Sequence, residues 1–297
     1  LAEHVVFFDR LPADSTPIAG GKGASLSRMA LAGLPVPPGF VVSADAFRQF
    51  LEAAGGVDLI ASLTRTLDVE DATAVDEASA QIRRVIIETP LPGSLSSAIR
   101  DAHASLANGD LVAVRSSAVC EDGGAASFAG QQETYLSVRG IDDVLRCVQE
   151  CWASFFSPRA LFYRAQKAVL GDTRMAVVVQ EMVLADKSGV MFTVDPIRGR
   201  RDCMVVEAAP GLGDAVVSGE VTPDHYVVSR ADGSVVDEFL PEDRARVLRH
   251  TDLHRLRTLG LKLEAFFGSP QDVEWCIRGD ELLLLQSRPI TTLGAHG

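Results

Sequence analysis

The stretch near the C-terminal end leaves this chain the least choice. Asp272–Ile277 and Glu281–Gln286 are two short runs rich in apolar residues, separated by a Gly279-Asp280 turn. That combination specifies a β-hairpin. Further strand-like runs precede it at Arg174–Val183, Ser188–Val194, Met204–Ala208, His225–Ser229 and Val235–Leu240. Glu242–Phe267 reads as a long helix with an exposed basic face.

The first half carries more helix. Strands are expected at Val5–Phe8, Phe40–Ser43, Leu111–Ser117 and Glu133–Val138. Ala19–Leu26, with the run Gly20-Gly-Lys-Gly, leads into a helix that ends before Pro35, Pro37 and Pro38. Ala44–Ala54 is a short helix capped by Ser43. Glu70–Thr89, Gly93–Leu106, Ile141–Phe156 and Pro158–Val169 complete the helices. Texture shifts near Gln180–Ser188, the candidate hinge. With 297 residues, the chain has room for about two domains at roughly 150 residues each.

Charge and composition exclude some roles. The net charge of −12 disfavours a general role on nucleic acid or anionic membrane, but leaves a local basic pocket open. No apolar run reaches the roughly 18–20 residues of a membrane span. Leu1-Ala2-Glu3-His4 has neither a basic nor a long apolar leader region, so no signal peptide is expected. The missing initiator Met points to a processed or trimmed start. Cys120, Cys147, Cys151, Cys203 and Cys276 are too scattered for a disulfide framework, so reduced thiols in the cytoplasm are expected.

Four places can carry chemistry. The Gly20-Gly-Lys-Gly loop lets backbone N–H groups approach an anion, with Lys22 adding a full charge. It lacks Walker A spacing, and a tight turn with an exposed lysine is the bland alternative. Arg115-Ser-Ser stands at the end of the buried strand Leu111–Val114, where α/β folds present ligand groups and where an arginine needs an anion or a structural carboxylate partner. Asp122–Thr134, rich in small residues, is either a phosphate lid anchored by Phe128 or a mobile connection. In the hairpin, Asp272 and Glu274 share one face, as do Gln286 and Arg288. Their oxygens suit Mg²⁺ with ATP, and Arg288 can neutralise a phosphate. His250 and His254 have zinc-compatible spacing, but a solvated helix face is the better reading. Cys147 and Cys151 read as small buried hydrophobes.

Taken in order, these motifs resemble the nucleotide-binding domain of the dikinase family, which includes phosphoenolpyruvate synthase, pyruvate phosphate dikinase and rifampicin phosphotransferase. The matching blocks are Gly20-Gly-Lys-Gly, Val36-Pro-Pro-Gly-Phe, Val114-Arg-Ser-Ser-Ala, Ser127-Phe-Ala-Gly-Gln-Gln-Glu-Thr-Tyr-Leu and Cys151-Trp-Ala-Ser. They continue with Gln180-Glu-Met-Val, Ser188-Gly-Val-Met-Phe-Thr-Val-Asp-Pro, Gly211-Leu-Gly-Asp, Asp272-Val-Glu-Trp and Gln286-Ser-Arg-Pro-Ile. The resemblance spans essentially the whole chain. The Val119-Cys120 pair departs from many relatives without touching a ligand position.

The resemblance implies an α/β, ATP-grasp-like fold with ATP in a cleft between two lobes, residues 1–183 and 184–297. It implies that Lys22 and Arg115 hold phosphates, and that Gly130 and Thr134 belong to a phosphate-covering loop. Gln180, Glu181, Met182 and Val183 would receive the adenine. Glu274 and Gln286 would hold Mg²⁺ with Asp272 nearby, and Arg288 would contact phosphate. ATP would phosphorylate a histidine on a separate swivelling domain, yielding AMP and phosphate, for onward transfer to a small-molecule acceptor such as pyruvate. None of His4, His103, His225, His250, His254 and His296 has the family's relay context. The histidine domain is therefore expected in cis, if the chain is an excised domain, or in trans, if it is a subunit. A non-catalytic nucleotide-binding regulatory module is the alternative.

Overall fold

The computed structural model describes residues 3–106, 111–119, 133–166, 174–212, 221–242 and 244–291. The chain divides into two compact units. One comprises Leu1–Leu31 and Pro38–Met182, the other Ala32–Pro37 and Val183–Gly297. Each has its own antiparallel sheet.

The first unit contains β1 (Val5–Phe7), α1 (Thr16–Leu31), β2 (Gly39–Val42), α2 (Ala44–Ala53), α3 (Gly56–Arg65), α4 (Ala72–Glu88), α5 (Gly93–Ala104), β3 (Leu111–Ala118), β4 (Thr134–Arg139), α6 (Ile141–Ser154), α7 (Pro158–Gln166) and β5 (Met175–Glu181). The sheet order is β1-β2-β5-β3-β4. Alternation along the strands gives it two different faces. Phe40, Val42, Val112, Val114, Val177 and Val179 point into the core with α2, α4, α5 and α6. There Trp152 stacks on both Phe47 and Phe50, with ring centroids 4.9 and 5.1 Å apart. The opposite face carries Val41, Arg115, Ser117, Val178 and Gln180, and α1 crosses part of it at Gly23.

Capping sets several boundaries. The Ser43 hydroxyl accepts from the Ala46 N–H and opens α2. The Asp71 carboxylate accepts from Thr73 and Ala74 and opens α4, so that helix starts two residues after the expected Glu70. Helix α3 was not expected from the sequence. Left-handed Gly55 turns the chain directly from α2 into it, and of its ten residues only Gly56 and Ile60 are buried. Its apolar stripe is too thin to read.

The second unit contains β6 (Lys187–Phe192), β7 (Cys203–Pro210), β8 (Asp224–Ser229), β9 (Val235–Phe239), α8 (His250–Phe267), β10 (Gln271–Arg278) and β11 (Glu281–Pro289), with sheet order β11-β10-β6-β7-β8-β9. Gly279 has φ 59° and starts the two-residue turn between β10 and β11. This is the type II′ pattern, with positive φ at the first central residue only. Midway along β11, the Leu284 N–H donates to the Pro35 carbonyl at 2.8 Å, so the 32–37 segment lies along β11. One sheet face packs on α8, where Gly260 lets the helix approach Met191 and Met204.

Helix α8 is shorter than the expected Glu242–Phe267. Buried Asp224 accepts from the Tyr226 hydroxyl (2.6 Å), the Val247 N–H (2.7 Å) and Arg244 (3.0 Å), tying the preceding segment to β8. The helix begins where Asp252 accepts from the Arg249 N–H at 3.0 Å. Among the described residues, no helix is long and apolar enough to cross a membrane.

Candidate functional site

In the first unit, two motifs almost a hundred residues apart form one corner. Gly20 breaks α1, with φ 67° and ψ 176°. This is a region open in practice only to glycine. A Cβ there would also run into the Ser117 carbonyl and hydroxyl. The Ser117 hydroxyl donates to the Ala19 carbonyl at 2.7 Å and accepts from the Gly23 N–H at 3.2 Å, clamping both sides of the break. Lys22, within the break, donates to the Ser116 carbonyl at 3.4 Å. The expected loop before a helix is therefore a kink inside one, pinned to β3.

Arg115 lies mid-strand rather than at a strand end, because β5 pairs with β3 from Val112 to Ala118. Its side chain is on the α1 face and only 8% exposed. In register, Val41, Val178, Arg115 and Thr134 form one row across β2, β5, β3 and β4. Gly39, Gln180 and Ala113 form the next row. Thus Arg115, Thr134 and Gln180 share a face, with Lys22 alongside. Two cations at one corner favour an anion there. Sequence reasoning identified Lys22 and Arg115 but missed Ser117; the serine doublet after Arg115 was its only signal.

The segment expected to receive adenine continues β5. The Glu181 N–H donates to Pro38 and the Met182 N–H to Leu111. The Met182 sulfur accepts from the Ser137 N–H at 2.9 Å. Ser137 has φ 54°, which makes it the only non-glycine residue with positive φ among the described residues. Val183 begins the second unit. Gly130 and the rest of the Asp122–Gly130 segment lie outside the described residues.

In the second unit, Glu274 sits directly opposite Gln286, and Asp272 directly opposite Arg288. A bulge follows Glu274, where Leu285 is the extra residue. Arg288 Nε donates to Asp272 Oδ2 at 2.8 Å. Burial pushes the Asp272 carboxyl above its usual range, against the lowering pull of Arg288. Asp272 therefore orients the arginine, and Glu274 and Gln286 are the neighbouring pair whose oxygens a cation could meet. Side chains directly opposite in a sheet have Cβ atoms about 5 Å apart, close enough to bind one small cation. Mg²⁺ takes one or two protein oxygens and fills its shell with water and phosphate, so the pair fits it. Among the described residues no three His, Cys, Asp or Glu side chains gather at metal-binding range.

His250 and His254 lie exposed on α8. Cys147 and Cys151 are buried in the core, and burial pushes both thiols up, Cys151 most.

The sequence matches the family described as pyruvate phosphate dikinase, AMP/ATP-binding domain, over residues 16–252 and 238–296. It is 43% identical over 319 residues to a probable phosphoenolpyruvate synthase of Methanocaldococcus jannaschii, covering 98% of this chain and 27% of that protein. It is 45% identical over 303 residues to a probable phosphoenolpyruvate synthase of Archaeoglobus fulgidus, covering 93% and 40%. A rifampicin phosphotransferase of a Streptomyces species is 42% identical over 297 residues, covering 92% and 34%. The chain thus spans less than half the length of each of these relatives.

Proposed function

Since the chain belongs to the pyruvate phosphate dikinase AMP/ATP-binding domain family, we propose that it binds Mg-ATP and performs the first half of a dikinase-type phosphotransfer. In this reaction a histidine of a separate swivelling domain, ATP and water give phosphohistidine, AMP and phosphate. The fold reading is ATP-grasp-like.

The observation that carries the proposal is the register of the hairpin, which sets Glu274 against Gln286 and Asp272 against Arg288. Phosphoryl transfer is mainly positioning and charge neutralisation. Lys22 and Arg115 hold phosphate oxygens from the first unit, with Thr134 on the same face. Glu274 and Gln286 hold Mg²⁺, which when bound neutralises charge developing on the phosphates. Arg288, oriented by Asp272, contacts a phosphate as well. Gln180 and the Glu181–Val183 segment receive the base. The final acceptor is chosen by a domain other than this one. The similarity of this chain to proteins whose names state two different reactions supports that division of labour.

The test mixes this chain, β-labelled ATP and a separately prepared histidine domain, and measures acid-labile, base-stable label on the domain. Label and AMP should appear only with both proteins present. Lys22→Ala should cut transfer by about 10²–10³-fold, as when one transition-state donor is removed, with an unchanged melting temperature. Rapid AMP formation without the partner, or full transfer by Lys22→Ala, would overturn the assignment.

A further inference from the structure

The strand register extends the Gln286–Glu274 pair into a row that the proposed mechanism leaves unused. Glu274 pairs with Val190, Val190 with Glu207, and Glu207 with His225. Residues directly opposite in a sheet point to the same side. Gln286, Glu274, Val190, Glu207 and His225 therefore share the face turned away from α8. Glu207 and His225 are each one-third exposed, and His225 Nδ1 lies 3.5 Å from Glu207 Oε1. Val190 is also partly exposed between the two carboxylates.

Two strand spacings separate Glu207 from Glu274, about 10 Å. That is too far for the two carboxylates to share one Mg²⁺ ion at its short bond lengths. The separation instead matches the reach from a nucleotide's phosphates to its sugar. An ionised carboxylate only accepts hydrogen bonds, so it complements a pair of hydroxyls and repels phosphate. An acidic side chain on ribose is the same solution that dinucleotide-binding folds use. Val190 supplies an apolar floor beneath the sugar.

Resting on the nucleotide reading above, we propose that Glu207, held in place by His225, accepts hydrogen bonds from the ribose hydroxyls. It is the residue by which this domain prefers ribonucleotides over nucleotides lacking those hydroxyls. His225 is a positioning residue, because it acts through Glu207.

Calorimetry of the 297-residue chain with Mg-ATP and with Mg-2′,3′-dideoxy-ATP tests this. The unmodified chain should favour ATP by about 10- to 100-fold, the range for hydrogen bonds to a charged group. In Glu207→Ala that ratio should fall to within about twofold of unity, chiefly because ATP binds more weakly. Glu207→Gln and His225→Asn should give intermediate ratios. A merely structural role would weaken both nucleotides alike and keep the ratio, which overturns the proposal. So does a Glu207→Ala chain that retains the unmodified preference. Failure of the unmodified chain to bind ATP at all overturns the nucleotide reading, and this inference with it.

Discussion

The two candidate binding places, one in each unit, are built in opposite ways. The Lys22 corner joins residues nearly a hundred positions apart, through a glycine that admits no side chain and a buried serine that holds both sides of a helix break. The Glu274–Gln286 rung joins residues across one tight hairpin, and its side chains rise from a sheet whose other face is packed on α8. In the corner, the backbone that presents Lys22 is held by Gly20 and Ser117, which also hold the fold. In the rung, the ligands sit on a scaffold stabilised elsewhere. Substitutions of Gly20 or Ser117 should therefore damage stability and binding together, whereas trimming the Lys22 side chain or the ligands of the rung should damage binding alone.

The largest expected effect tests the corner. Gly20→Ala forces a backbone conformation that costs about 1–3 kcal/mol by itself and drives a methyl group into Ser117. The total should reach about 3 kcal/mol or more, read as a lower denaturant midpoint with ATP binding lost in parallel. A stable Gly20→Ala chain that binds ATP normally would break the comparison.

The middle effect concerns the anchor behind the rung. Burial pushes the Asp252 carboxyl up, but hydrogen bonds from Arg249 and Lys187 outweigh it and hold the group at about 2. A depressed carboxylate stabilises the fold above its unfolded value of 3.8, and that contribution is lost as pH falls from about 4 towards 2. Asp252→Asn should cost about 2 kcal/mol at neutral pH. It should also flatten stability over that acid range. Unfolding curves at stepped pH check both points. An unchanged acid slope would show that the pair contributes nothing there.

The smallest effect on stability is expected at the rung itself. Glu274→Ala should shift stability by less than about 1 kcal/mol, as for a partly exposed position. It should nevertheless abolish the Mg²⁺ dependence of ATP affinity. Calorimetry with and without Mg²⁺ decides this. Retained Mg²⁺ dependence would remove the metal assignment while leaving the corner untouched.

The same contrast explains what could be read from the sequence. The hairpin was legible because turn chemistry and period-2 patterning are local, and so were the Ser43 cap and most strands. The Lys22 and Arg115 motifs stood out by residue type, but their union through Ser117 depends on a pairing no local pattern encodes. Arg115 was expected at a strand end because the polar Ser116 and Ser117 look like an exit. In fact β5 keeps pairing through them. The start of α8 was misplaced because Asp224, on another strand, captures the Val247 N–H. Glu207 and His225 drew no notice as a pair, since each is an ordinary polar residue in an alternating strand until the register aligns it with Glu274.

The Pro35–Leu284 hydrogen bond has a consequence for biosynthesis. The 32–37 segment leaves the ribosome early, yet its place is on a strand made about 250 residues later, on the order of ten seconds or more at ordinary elongation rates. The first sheet can close once β5 is made, with this short loop of chain still unplaced. Only the arrival of β11 gives the segment its seat. Order of synthesis and order of folding thus diverge for these six residues. A nascent chain halted before Glu281 should leave them open to proteolysis beside an already protected Phe40–Val42 strand.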